Sequence, residues 1–213
     1  EDEYKSLQSL EKHWLDNETH FIKLLYFVKE YNAIISERFY AKHFFKMFRQ
    51  YDLKRRFNKK PDITHRVLSR LGETLSRFHQ ISITECKFDI ESILYKIEGC
   101  CDELKSFGIS EKFINNLMFK LRSFKDIEIY THHTNTLKGF DVRQVFIDKK
   151  GSIFLLDPGK MKTDYKEMDL ARFIATCRIL YWGSMLIFLR MSPDKSYEES
   201  FLQSYYGGNE KPG

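Results

Sequence analysis

Hydrophobic positions along this chain recur at two periods, and the changes of period mark out its elements. Over residues 2–17, Tyr4, Leu7, Leu10 and Trp14 step by three and four, the stripe of an amphipathic helix. Residues 21–28 and 33–39 are two runs of strand formers separated by Lys29-Glu30-Tyr31-Asn32, which predicts a hairpin. Phe44, Phe45, Met47 and Phe48 predict a short helix, broken by a basic segment with Pro61. Val67, Leu68, Leu71, Leu75 and Phe78 then define a long one. Residues 90–107 form another helical stripe stopped by Gly108, and Ser110 caps a further helix running to Leu121. The alternation in Asp-Ile-Glu-Ile-Tyr predicts a strand over 126–130. Late in the chain, 170–189 reads as a long apolar helix and 197–206 as a closing one that ends at Gly207-Gly208.

The stretch 139–161 organises the rest. Val145, Ile147, Ile153 and Leu155 alternate at the two-residue period of a strand, and Asp148-Lys149-Lys150-Gly151 supplies a turn between the two runs. The second run leads directly into Asp157-Pro158-Gly159. A carboxylate delivered by a buried strand onto a Gly-containing turn suits a metal ion, because the strand fixes its position while the turn exposes it. On spacing alone, an ordinary hairpin whose Asp starts a turn is the more frequent meaning of this pattern.

Taken in order, these segments resemble the aminoglycoside phosphotransferase-like branch of the protein-kinase-like fold. Residues 145–148 resemble the strand after that family's catalytic-loop Asn, and Asp157-Pro158-Gly159 resembles its metal loop, with Pro158 in place of the usual aromatic residue. Glu167-Met168-Asp169-Leu170-Ala171-Arg172 is similar to the Asp-Leu-Ala helix start, and Leu71 to His79 to the long central helix. The resemblance implies an α+β, protein-kinase-like architecture. Residues 1–39 would form a partial small lobe of one helix, two strands and a hinge, and 40–213 a mainly helical large lobe carrying the catalytic-loop hairpin. It implies an ATP-dependent phosphotransferase acting on a hydroxyl of a small molecule or saccharide, with ATP and Mg²⁺ as cofactors. The acceptor pocket would be built by the helices between Ile81 and Leu121.

Residue by residue, the resemblance places Asp157 and Gln144 on the metal, Gln144 standing where the family has Asn. Glu3 would pair with a lysine on a strand ahead of residue 1, and Glu37, Arg38 and Phe39 would lie in the hinge that meets adenine. Lys138 and Arg143 would steady phosphate. Asp169 would receive backbone N–H groups of the catalytic loop. Gly139 falls where the catalytic Asp belongs, and glycine can neither accept nor orient a proton. Asp141, two residues on, is the candidate displaced base. That departure supports a second reading, a kinase-like binding module that has lost phosphoryl transfer.

Composition narrows the classes further. The chain has 213 residues, 42% of them hydrophobic and 15% aromatic, enough for a packed core and unlike a disordered segment. Its formal charge of +5 is concentrated in Lys54-Arg55-Arg56 and Lys59-Lys60. No recognition-helix or aromatic-platform pattern accompanies that run, which argues against a nucleic-acid partner and for a solvated face. Cys86, Cys100, Cys101 and Cys177 make neither a zinc pattern nor a disulfide framework, as expected for a reducing cytoplasm. No signal peptide is expected from the charged start, and the apolar run 179–189 is too short for a bilayer span. The adjacent His132 and His133 would point to opposite faces of a strand, so they do not read as a chelating pair. His79, at a helix end, reads as a side chain interacting with the helix dipole.

Overall fold

The computed structural model describes residues 4–5, 8, 10, 19–46, 63–125, 127–137, 139–156, 161–182 and 195–207. In chain order the elements are β1 (Thr19–Phe21), β2 (Leu24–Val28), β3 (Ala33–Ser36), β4 (Lys42–His43), α1 (Ile63–Gln80), β5 (Thr84–Lys87), α2 (Ile90–Ser106), α3 (Glu111–Arg122), β6 (Tyr130–Leu137), β7 (Val145–Ile147), β8 (Ile153–Leu155), β9 (Met161–Tyr165), α4 (Glu167–Trp182) and α5 (Lys195–Tyr205). They group into two compact units, one of Glu1–Ile83 with Thr134–Gly213 and one of Thr84–His133.

In the first unit a four-stranded sheet runs β1-β8-β7-β4. The β7–β8 hairpin forms where the alternation predicts it, with Val145 opposite Leu155, Phe146 opposite Phe154 and Ile147 opposite Ile153. Val145, Ile147, Ile153 and Leu155 are buried in the main core, so the other face of the hairpin presents Phe146 and Phe154. Asp148 holds the connecting turn, its Oδ1 accepting the N–H of Lys150 at 2.8 Å and of Ser152 at 2.9 Å. The predicted run 21–28 is split in the structure. Its first residues belong to β1, which lies parallel to β8, and only β2 enters the hairpin with β3. That hairpin closes through a 3₁₀ turn over Lys29–Tyr31 and Asn32 at φ 47°, a left-handed position that Asn tolerates.

The apolar stripe of α1 is buried as its spacing demands: Leu68, Leu71 and Leu75 are at most 1% exposed. It packs against α5, whose Tyr197, Phe201 and Tyr205 belong to the same core. Gly72 makes the approach possible, since a Cβ there would lie 2.2 Å from the carbonyl oxygen of Phe201. The α4 side chains Leu170, Phe173 and Cys177 complete this core, and Phe173 stacks on Phe201 with ring centroids 4.4 Å apart.

The second unit has its own small core of Leu94, Cys101, Ile114 and Met118 between α2 and α3. Asp89 caps α2 and Ser110 caps α3, each through a backbone N–H three residues on. Here the strand expected over 126–130 is corrected. The strand starts at Tyr130 and runs to Leu137, and its first four residues pair with β5 from Lys87↔Tyr130 to Thr84↔His133. Residues 127–129 stay outside the strand: Ile127 is exposed, and the Ile129 carbonyl accepts from the Phe88 N–H at 2.8 Å without extending the ladder. No helix among the described residues is long and apolar enough to cross a membrane.

Candidate functional site

The loop between β6 and β7 is fixed at both ends by hydrogen bonds. At its head, the Leu137 N–H donates to Asp169 Oδ2 at 2.8 Å, and Arg172 bridges Asp169 Oδ1 and the Leu137 carbonyl at 3.0 and 2.9 Å. Asp169 is fully buried, and its Oδ2 also meets Nε2 of His79 at 3.2 Å. His79, in the last turn of α1, is buried. Its Nδ1 lies 2.7 Å from the Tyr205 hydroxyl. Burial, reinforced by neighbouring Tyr206, Glu167 and Asp169, pushes that hydroxyl above its ordinary range. The hydroxyl therefore stays protonated, and Nε2–H donates to the Asp169 carboxylate, which only accepts.

At the tail of the loop, Asp141 caps the 3₁₀ turn Val142–Gln144. Its Oδ1 accepts from the Arg143 backbone N–H at 2.7 Å and Nε at 3.1 Å, and its Oδ2 accepts from the guanidinium at 2.6 Å. The carboxylate is buried while the Arg143 side chain is 61% exposed, so Asp141 anchors a cation that faces solvent. This bond raises the Arg143 guanidinium further above its ordinary value. The Gln144 N–H donates to the Asp141 carbonyl at 3.1 Å, and the Gln144 carbonyl accepts from the Leu156 N–H at 2.9 Å. The end of β8 is thereby tied to the end of the loop.

Residues 37–40 approach the Phe146 and Phe154 face of the same hairpin. The Glu37 N–H is held by the Lys23 carbonyl at 2.9 Å, and the Arg38 guanidinium lies 4.9 Å from the centre of the Tyr40 ring. Phe39 stacks on Phe154 at 5.3 Å and meets Phe146 edge-on at 5.5 Å, while His20 and His43 pack against Phe154 and Phe146. Beside this aromatic group is a cleft of about 510 Å³ lined by residues 20–23, 37–40, Asp148 and Phe154. Planar rings on a hairpin beside a cleft of this size suit a flat heteroaromatic ligand.

The structure thus brings Asp141, Arg143 and Gln144 into one turn and places Glu37, Arg38 and Phe39 along one cleft. Glu3, Lys138 and Asp157 lie outside the described residues. Phe146, Phe154, His20 and His43 were not singled out from sequence. The aromatic residue at the centre of each short strand, in Val-Phe-Ile and Ile-Phe-Leu, was the signal that could have found the first two. The described residues do not complete a magnesium site. Both Asp141 oxygens are engaged by Arg143, which leaves the Gln144 amide oxygen, and no cluster of three His, Cys, Asp or Glu side chains that could hold a metal occurs among them.

His43 gives this region a pH dependence. Burial, with the Lys46 cation adding to it and Asp141 opposing it, lowers its pKa below the ordinary 6.5. The folded protein favours neutral His43, so this contribution to stability is whole above the unfolded value and is lost as pH falls from there through the lowered folded value. The melting temperature of the wild type is expected to fall more steeply than that of His43→Gln between about pH 7 and pH 5. Parallel slopes in differential scanning fluorimetry would refute the assignment.

The chain shares the kinase-like fold of three solved sugar-kinase structures. Glucosamine kinase in one crystal form superposes with a TM-score of 0.65 at 10% identity, over 95% of this chain and 58% of that one. A second crystal form, and the enzyme in complex with glucosamine, ADP and inorganic phosphate, each superpose with a TM-score of 0.56 at 12% identity. Each covers 82% of this chain, and 46% and 47% of the respective neighbour. The chain therefore spans about half the length of these neighbours. No family model matches the sequence, and no curated protein matches it.

Proposed function

We propose that this chain carries the large lobe and part of the small lobe of an ATP-dependent phosphotransferase of the aminoglycoside phosphotransferase-like type, acting on a hydroxyl of a small molecule or saccharide. The lobes divide near residue 39. The observation that carries the reading is the Leu156 N–H bond to the Gln144 carbonyl. It ties the end of β8 to the end of the 139–144 loop, while the other face of that hairpin supports residues 37–40. A kinase-like fold whose neighbours include a complex with glucosamine, ADP and phosphate supports nucleotide and sugar as the ligand classes.

In this reading Glu37, Arg38 and Phe39 border the purine, Arg143 and Lys138 meet phosphate oxygens, and Glu3 orients a small-lobe lysine. Asp157 and Gln144 are the proposed metal ligands, and Asp141 sits nearest to the acceptor proton. Arg143 holds that carboxylate on both oxygens, so accepting a proton requires Arg143 to move onto phosphate first. The same ion pair, together with Gly139, favours the second reading: a module that binds nucleotide without transferring phosphate.

Calorimetry and thermal shift on the full chain with ADP and ATP, each with and without Mg²⁺, test the proposal. Nucleotide is expected to raise the melting temperature, Asp157→Ala to abolish the Mg²⁺-dependent part, and Asp141→Asn to abolish transfer to a sugar panel while leaving ADP binding in place. A nucleotide shift without transfer by the wild type selects the module. No response to either nucleotide overturns both.

A further inference from the structure

The first unit contains a second cavity, of about 440 Å³, between the N-terminal half of α1 and the β7–β8 turn. It shares no lining residue with the hinge cleft. Residues 66, 69, 70 and 73 recur at three- and four-residue steps and therefore present one face of α1 to it. From that face come the Arg66 and Arg70 guanidinium groups, the Ser69 hydroxyl and Glu73, and from the turn comes Lys150. Glu73, the one carboxylate in the lining, is shared between Arg70 at 3.6 Å and Arg77 at 3.8 Å, so the cavity is net positive. Val67 and Ile153 add apolar surface.

The turn that presents Lys150 is held in shape. Asp148 accepts the N–H of both Lys150 and Ser152, and Gly151 takes φ +91° with no side chain to obstruct the opening. Arginine forks and a lysine ammonium are the side chains that meet phosphate oxygens most strongly. A phosphate monoester carries a charge of about −1.5 to −2 at neutral pH, which suits three cations facing one shared acid. Apolar surface beside the cations favours a phosphate carried on a carbon skeleton.

We propose that this cavity is a binding site for a phosphate-bearing small molecule, separate from the nucleotide cleft. The site stands whether or not the chain handles nucleotide, because none of its residues belongs to the hinge or to the 137–144 loop. Its occupant would grip Lys150 on the turn whose Asp148 borders the hinge cleft, so the two sites meet at one hairpin.

The test is calorimetry on the full chain without nucleotide, at constant ionic strength, with glucose 6-phosphate, inorganic phosphate and sulfate as probes. Saturable binding of glucose 6-phosphate is expected, tighter than that of inorganic phosphate and absent with sulfate. The double variant Arg66→Gln, Lys150→Gln should weaken it at least ten-fold, while its melting temperature without ligand stays at the wild-type value because both side chains are exposed. Arg143→Gln should leave the affinity unchanged, which separates this site from phosphate binding at the proposed catalytic loop. Equal affinity for the two phosphate probes would assign the site to free phosphate and uphold it. The proposal is overturned by no saturable heat from either phosphate probe, by equal binding of sulfate, or by a loss in Arg143→Gln as large as in the double variant.

Discussion

Replacing Gly72 with alanine is expected to lower the melting temperature of this protein by roughly 6–12 °C, the shift that corresponds to about 3 kcal/mol in a chain of this size. Alanine is ordinarily the better helix former, so propensity alone predicts stabilisation by up to about 1 kcal/mol. Contact overrides it. The new Cβ would sit 2.2 Å from the Phe201 carbonyl oxygen and 3.1 Å from the Tyr205 nitrogen, both backbone atoms of α5 that cannot rotate away. The helices must separate, and the apolar contacts of Leu68, Leu71 and Leu75 with Phe201 and Tyr205 loosen together. Gly99, in the middle of α2, has open space around its Cβ position and serves as the control. Gly99→Ala should be neutral or stabilising. A Gly72→Ala protein that melts within about 1 °C of the wild type would show that α1 and α5 do not approach this closely.

Asp169→Ala should cost about 3–5 kcal/mol, because it strips a buried acceptor from three donors at once. Nε2 of His79, the Leu137 N–H and one Arg172 nitrogen would each lose a partner beside a fully buried position. The loss should also be local in a way that a general core defect is not. Amide exchange at Leu137 should rise well before that of β7 and β8, since the Asp169 bond is what fixes the head of the loop. Asp169→Asn keeps one acceptor oxygen and should fall between the two. If the Leu137 amide exchanges at the wild-type rate in Asp169→Ala, the clamp is not what holds this loop.

These two effects differ in how visible they were before the structure. Asp169 was legible through the resemblance: its setting in Glu-Met-Asp-Leu-Ala-Arg is similar to the family's Asp-Leu-Ala helix start, whose Asp receives loop N–H donors. Gly72 appeared only as one residue inside a helical stripe, since nothing in its neighbours says which element lies opposite. The same limit explains His79. A histidine at a helix end is ordinarily a surface partner of the dipole, and only the arrival of α5 and α4, which bring Tyr205 and Asp169, encloses it. Phe146 and Phe154 sit at alternate positions of strands whose other face was recognised as core, but that a hinge residue stacks on them depends on where residue 39 returns in space. Asp141 shows the reverse case. It reads as a displaced base with Arg143 nearby to steady phosphate, and the geometry shows the two side chains bound to each other.

What the amino-acid order determined by itself was local: the periods that separate helix from strand, the Asp-Lys-Lys-Gly turn of the hairpin, and the Ser110 cap. Each of these rests on interactions within a few residues, where chain geometry leaves few alternatives. Tertiary structure decided which strand each strand pairs with, that 130–137 and not 126–130 forms a ladder, which faces are enclosed, and that cations from α1 and from a distant turn line one cavity. Those outcomes depend on contacts between segments tens of residues apart. Burial and a hydrogen-bonding partner, neither of which is written in any single stretch, choose among conformations that are locally almost equal in energy.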